Sequence, residues 1–358
     1  MGASGFIGSR MVEMFHLGGL GKIRPIVRNY RSLARVARFG LDWKIADAFD
    51  EPALTNAFAG CDFVVHAVQG HPNIVEGSII PSYRAACNAG ARRLVYISTA
   101  SVHGLAPAPG TDETTPLNDR QPLDYNNLKV RAERLLRKER DRGSVEVAIL
   151  RPGIAFGPRD RWISAIANEL LCGAAYLVDG GTGVCNSIYV DNLVHAIHLA
   201  LTANNADREA FLVGDLETVT WAAIYKRIAE ALGLRFEEIH RVSRPAFSKD
   251  IKTRVDHFRS MEASQSVLSI FPGKMKRAVK AALTAWQEPP APSPWALPEE
   301  PLPVATMEMA DLHQCPCKLP HEKAKRILGY DPIVSFEEGF NRSVEWLRFA
   351  GFPVLKVP

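Results

Sequence analysis

The sequence predicts a doubly wound α/β fold, a parallel sheet with helices on both faces, joined to a smaller second domain. Three observations carry that reading. In the first two-thirds of the chain, short β-branched runs alternate with stretches whose apolar residues recur at helical spacing, which is the pattern of strand–helix units rather than hairpins. A glycine-rich turn opens the chain and runs directly into one of those helical stretches. After about residue 160 the alternation gives way to longer helical segments with short strands between them, marking a change of domain.

Taken in order, residues 6–17 form the first helix, and the first strand-like runs are 22–28 and 41–47. A helix is predicted over 51–59, a strand over 62–68, a helix over 79–89, and strands over 92–98 and 145–150. Beyond these, helices are predicted at 162–172, 191–202 and 221–232, with strands at 187–190 and 210–213. Residues 274–287 place Met275, Val279, Leu283 and Trp286 on one helical face and Lys274, Lys276, Arg277 and Lys280 elsewhere. That is a helix packing on its own domain in preference to a peripheral contact with an anionic membrane. Residues 288–304 hold seven prolines and are read as an extended surface loop. The division is therefore a cofactor domain over 1–160 and a mainly substrate-binding domain over 161–358, some of whose segments return to the first domain. An atypical basic and proline-rich insertion is expected at about 241–312.

The 358 residues suffice for one large or two ordinary domains. A net charge of +4 is too even for a nucleic-acid binder. No apolar run approaches the roughly 18 residues of a membrane span, and the first residues lack the charged and apolar regions of a secretory signal. Six scattered cysteines show no zinc spacing. His66 and His71 lack a third ligand at convincing spacing, so no metal is expected. The expectation is a cytoplasmic protein with reduced thiols and a small-molecule partner; a homodimer is left open.

Gly2, Gly5 and Gly8 lie three apart and lead into a helix. A pyrophosphate requires such a turn: close backbone approach, and free N–H groups at a helix N-terminus. Ser4, Phe6 and Ile7 complete the loop. About 20 residues on, the strand ends in Arg28, with Arg31 following and no acid nearby. An acid there suits the ribose of NAD, whereas arginine suits the 2′-phosphate of NADP. NADP is therefore the expected cofactor in preference to NAD, against the plainer reading of both arginines as a solvated helix start. Asp47 is placed either to meet the adenine or to cap the helix beginning near Asp50. Tyr125 and Lys129 stand four apart on one helical face, where an ammonium would lower the phenol's pKa and make it a general acid/base.

With GASGFIG at 2–8, DFVVHAV at 62–68, LVYISTASVHG at 94–104, YNNLK at 125–129, LRPGIAFGPRDR at 150–161 and NSIYVDNLVHAI at 186–197, the chain resembles an extended short-chain dehydrogenase/reductase of the NAD-dependent epimerase/dehydratase superfamily. The likeness extends to 323–348 and covers nearly everything outside about 241–312. It implies a Rossmann-type doubly wound parallel sheet with a smaller interleaved C-terminal substrate domain. It also implies a catalytic hydroxyl at Thr99, an acid/base at Tyr125 and its partner at Lys129. Ser98 is expected to face structure. Ala67 would line the cofactor and Pro152 would sit near the nicotinamide, while Tyr189, Asp191 and Asn192 match a structural and substrate-side motif. His103 replaces the family's usual tyrosine, and Ile154 stands where sugar-nucleotide epimerases often carry asparagine.

The implied function is NAD(P)-dependent hydride transfer at a secondary alcohol or ketone of a nucleotide sugar, in an epimerase, dehydratase or reductase. A 3β-hydroxysteroid- or flavonol-reductase-like dehydrogenase is the alternative on an apolar alcohol. A non-catalytic NADP sensor is the alternative of another class, disfavoured by the intact Tyr125 and Lys129. A strand normally precedes the glycine loop, and a strand needs about five residues. Only Met1 stands there, so the first strand is expected to be missing from this chain or filled by another segment.

Overall fold

The computed structural model describes residues 1–244 and 305–355. The helix expected at 274–287, the proline-rich loop at 288–304 and most of the proposed insertion lie outside those residues.

The first domain builds from α1 (Phe6–Leu17), β1 (Ile26–Val27), α2 (Tyr30–Leu33), β2 (Lys44–Ile45), α3 (Glu51–Phe58), β3 (Phe63–His66), α4 (Pro72–Gly77) and α5 (Ile79–Asn88). It continues through β4 (Arg93–Ile97), α6 (Asp124–Arg140) and β5 (Glu146–Pro152). There follow β6 (Ile154–Phe156), α7 (Arg161–Leu171), β7 (Tyr176–Val178), β8 (Val184–Cys185), β9 (Ser187–Tyr189) and α8 (Val190–Thr202). The described chain ends with β10 (Ala210–Val213), β11 (Val219–Thr220), α9 (Trp221–Ala231), β12 (His240–Val242), α10 (Met307–Leu312), α11 (Glu322–Leu328) and α12 (Phe336–Phe349).

Four parallel strands form the centre in the order β10–β5–β4–β3, and β1 pairs parallel with β2. Between these two groups run Met1–Ala3. The Met1 amine donates to Val65 O (2.7 Å), Ala67 N to Met1 O (3.4 Å) and Ala3 N to Ile26 O (3.4 Å). These three residues take the place in the sheet where the sequence predicts a strand.

The period of two along a strand decides the layers. Leu94 and Tyr96 of β4 face Phe58 of α3, Tyr83 of α5 and Leu136 of α6, whereas Val95 and Ile97 face Phe15 of α1, Leu193 of α8 and Leu328 of α11. Helices thus cover both faces, as expected. The predicted strands 22–28 and 41–47 shorten to two residues each. Helix α3 begins where Asp50 accepts from Ala53 N (2.9 Å) with Pro52 in the first turn. Asp47 instead accepts from Phe49 N, so Asp50, not Asp47, is the cap.

The second domain has its own core, where Ile163 and Ile166 of α7, Trp221 and Ile228 of α9, and Phe336 and Phe340 of α12 pack together. Sequence periodicity misses β6, β7, β8, β11 and β12, which are two or three residues long. β12 pairs with β7, and α10 packs Ala310 against Tyr176 and Val178. Both described ends of the proposed insertion are therefore part of the second domain's core.

Candidate active site

The glycine loop owes its shape to the missing Cβ atoms. Gly2 has φ +74°, and a Cβ on Gly8 would stand 2.1 Å from Gly2 O. Gly5 precedes α1 without a side-chain cap, and the first turn of α1 carries no acid. Its orphan N–H groups are thus available to an anion. A Cβ on Gly2 would also meet Ala67 O at 2.4 Å, so the end of β3 presses against the loop. These features fit the diphosphate of a nicotinamide dinucleotide.

Arg28 follows β1 and, like Arg31, is exposed, with no carboxylate partner among the described residues. Arg35 reaches over the loop, its Nη1 donating to Ser4 O (2.9 Å). From the opposite wall Arg159 places Nη2 3.4 Å from Ser9 Oγ. Pro152 is buried at the last position of β5.

Thr99 and Ser98 diverge at the end of β4. Ser98 Oγ donates to the buried Glu133 (2.6 Å), a structural role as expected, while the half-buried Thr99 caps the 3₁₀ turn Ala100–His103 and lies 3.0 Å from Ser101 Oγ. Tyr125 is in the first turn of α6, and Lys129 is one turn on, its Nζ 5.9 Å from the Tyr125 ring centre. Lys129 is 3% exposed and donates to Ile97 O (2.9 Å) and Tyr96 Oη (3.3 Å). Burial brings its pKa down to about 8, with Glu133 opposing.

The Tyr125 phenol differs from the expected lowered value. Burial pushes it up to about 12, and the Glu308 carboxylate of α10 adds to the rise. In this arrangement the cost of desolvating a phenolate sets the direction of the shift. Glu308 itself is raised by burial. No motif in the sequence points to it, because it arrives from more than 180 residues away.

Beneath the site, Arg151 and Glu133 form a buried fork, with contacts of 2.7 and 3.1 Å. Arg151 Nη1 also donates to His103 Nε2 (3.1 Å), and the imidazole is held down to about 4 by burial and then by Arg151. His103 and Tyr189, both expected on the substrate side, line neither of the two cavities beside the strand ends. Tyr189 packs edge-on against Phe156, and its backbone N–H donates to Asp215. Ile154 does line a narrow apolar cleft, with Phe156, Trp162, Ile166, Trp221 and Phe336 around it. A second narrow cleft shares Cys185 and Ser187 with the first and adds Ala100, Gly153, Asn186, Glu217 and Lys318. His66 is buried with Nε2 3.0 Å from Ser78 Oγ. No helix among the described residues is long and apolar enough to cross a membrane.

A 3β-hydroxysteroid-dehydrogenase/decarboxylase isoform from Arabidopsis thaliana is 23% identical over 96% of this chain and 78% of its own length. An N-acetylglucosaminyl-diphospho-undecaprenol 4-epimerase from Escherichia coli O157:H7 is 25% identical over 67% of this chain and 73% of its own. A dTDP-glucose 4,6-dehydratase from Streptomyces venezuelae, solved with NAD, shares the fold with a TM-score of 0.68 at 20% identity, covering 97% of this chain and 95% of that one. The profile of the NAD dependent epimerase/dehydratase family matches residues 1–214, more than half the chain. On that match the chain belongs to the NAD-dependent epimerase/dehydratase family of enzymes.

Proposed function

We propose that this enzyme transfers a hydride at a secondary alcohol or ketone of a substrate that presents an apolar surface beside the reacting carbon, with NADP(H) preferred over NAD(H). The observation that carries the substrate class is the cavity beside Ile154. Its lining contains no charged side chain, and Ser187 and Cys185 are its only polar members besides the Trp indoles. A nucleotide diphosphate calls for guanidinium or ammonium donors, whereas an aliphatic or polycyclic body needs the apolar wall found here. The cofactor preference rests on Arg28 and Arg31 and on the absence of an acid at the end of β1.

When bound, the nicotinamide cofactor supplies or accepts the hydride. The chain's own residues manage the proton. Tyr125, neutral at pH 7 with a pKa near 12, is poised to donate its Oη proton to the oxygen of a ketone being reduced. The Thr99 hydroxyl would hold the same oxygen, and the Lys129 ammonium biases the site towards the negative charge that appears there.

A nucleotide sugar is the second reading, favoured by Asn186 and Lys318 in the adjoining cavity and by the epimerase among the relatives. The test is steady-state turnover with NADPH on 3-oxo sterols and long-chain 3-oxo compounds against UDP- and dTDP-linked sugars. Saturable turnover confined to the sugar nucleotides would overturn the apolar assignment. Tyr125→Phe should lower turnover by about 10²-fold or more with NADPH affinity nearly unchanged; full activity in that variant would remove Tyr125 from the chemistry.

A further inference from the structure

We infer that Arg159, on the loop between β6 and α7, is a contact for the diphosphate of the dinucleotide, closing on the glycine loop from the substrate side. The inference rests on the cofactor reading above and is independent of the substrate.

Arg159 is held in position by its own turn. Its φ is +75°, a left-handed backbone that costs a residue with a side chain. The turn is fastened by Asp160, which caps α7 through Ile163 N (2.8 Å) and also accepts from Gly157 N (3.0 Å). The side chain leaves this turn towards α1 and reaches Ser9, one turn into the helix that the glycine loop opens.

The charges around it do not balance. Arg10, Arg35 and Arg38 are close enough to repel Arg159, and Glu13 is the acid that opposes them. Glu13 is already shared, by Arg10 at 2.7 Å and Arg38 at 2.7 Å, and the rest of Arg10 is bound to Asp191. Arg159 and Arg35 are left with neutral oxygens, Ser9 Oγ and Ser4 O, on either side of Gly5. Two solvent-exposed guanidinium groups thus flank the glycine loop and α1 from opposite walls, neither with a carboxylate partner among the described residues. A diphosphate, with two negative charges, relieves that crowding and matches the planar donors of arginine. Arg28 and Arg31 stand on the adenosine side, so an arginine from the far wall falls to the diphosphate rather than to the 2′-phosphate. The competing account makes Arg159 a bystander, weakly tied to Ser9 at 3.4 Å.

Equilibrium binding of NADPH, NADH and ADP-ribose to the full chain separates these accounts without using turnover. Arg159→Gly suits the left-handed backbone, so folding is retained and can be checked by thermal melting; Arg159→Lys keeps the charge. The expected result is a loss of about 10- to 100-fold in affinity for all three ligands in Arg159→Gly, the range of a lost charge-assisted hydrogen bond, with partial recovery in Arg159→Lys. A loss confined to NADPH would assign Arg159 to the 2′-phosphate and overturn the inference, as would unchanged affinity for all three. Wild-type protein that binds none of them would instead overturn the cofactor reading itself, and this inference with it.

Discussion

Replacing Glu133 by glutamine should be among the most damaging isosteric changes in the chain. Glu133 is 1% exposed and Arg151 2%, so neither charge has water to fall back on. The carboxylate takes two bonds from Arg151 and one from Ser98 at 2.6 Å. Glutamine leaves Arg151 one amide oxygen in place of the carboxylate, besides His103 Nε2 at 3.1 Å and a long contact to Glu113 O, and turns the second oxygen into a donor facing the guanidinium. Breaking a buried pair by removing one partner costs about 3–5 kcal/mol, because it strands the other charge. Set against a usual total of about 5–15 kcal/mol, that is a large fraction of the molecule's stability. The assay is urea unfolding followed by far-UV circular dichroism, with cofactor absent. The double variant Glu133→Leu with Arg151→Met removes both charges together and should return stability to within about 2 kcal/mol of wild type. Activity should not return with it, because Ser98 and Arg151 adjoin Thr99 and Pro152 in the chain. A Glu133→Gln loss below about 1 kcal/mol would mean that water reaches the pair and that the burial argument is wrong.

Other expectations follow from single residues. Gly8→Ala puts a Cβ 2.1 Å from Gly2 O, so the loop must open and NADPH and NADH affinity should each fall at least about tenfold; unchanged dissociation constants would refute this. Lys129 has a folded pKa near 8, below its ordinary value of 10.5. The folded state therefore releases this proton first, and stability should rise by about 3 kcal/mol as pH climbs from about 8 to 10.5. Lys129→Met should flatten that rise in pH-dependent unfolding, raise stability at pH 7 and still abolish turnover. Glu308→Gln removes a negative charge that raises Tyr125, so the alkaline rise in alcohol oxidation should begin at lower pH; an unshifted profile would place Glu308 outside the proton path.

Local chemistry is what made parts of this molecule legible in advance. The glycine loop could be read because Gly2 and Gly8 occupy positions that no Cβ can share, and α3 because Asp50 and Pro52 start it. The pairing of Tyr125 with Lys129 needed only the helical repeat. Features set by distant partners were not readable. Nothing around Glu308 announces that α10 brings it towards Tyr125, and the upward shift of the phenol depends on how deeply the folded chain buries it. Arg159 lay inside a recognised motif, yet its meaning depends on Arg35 and Glu13, more than a hundred residues earlier. The apolar cavity draws its wall from α7, α9 and α12, and no single stretch of sequence contains it.

Asp191 is gripped from two sides, by Arg10 of α1 at 2.6 Å and by Arg342 of α12 at 3.3 Å. Helix α1 therefore cannot tilt away from α8 without dragging the C-terminal helix with it. Just downstream, β10 re-enters the central sheet beside β5, so the chain stitches the two walls of the crevice together twice. A clamshell opening would have to break both the ion-pair cluster and a sheet ladder. Changes in the loops outside these two seams can therefore alter the substrate side while the seat of the cofactor stays in place.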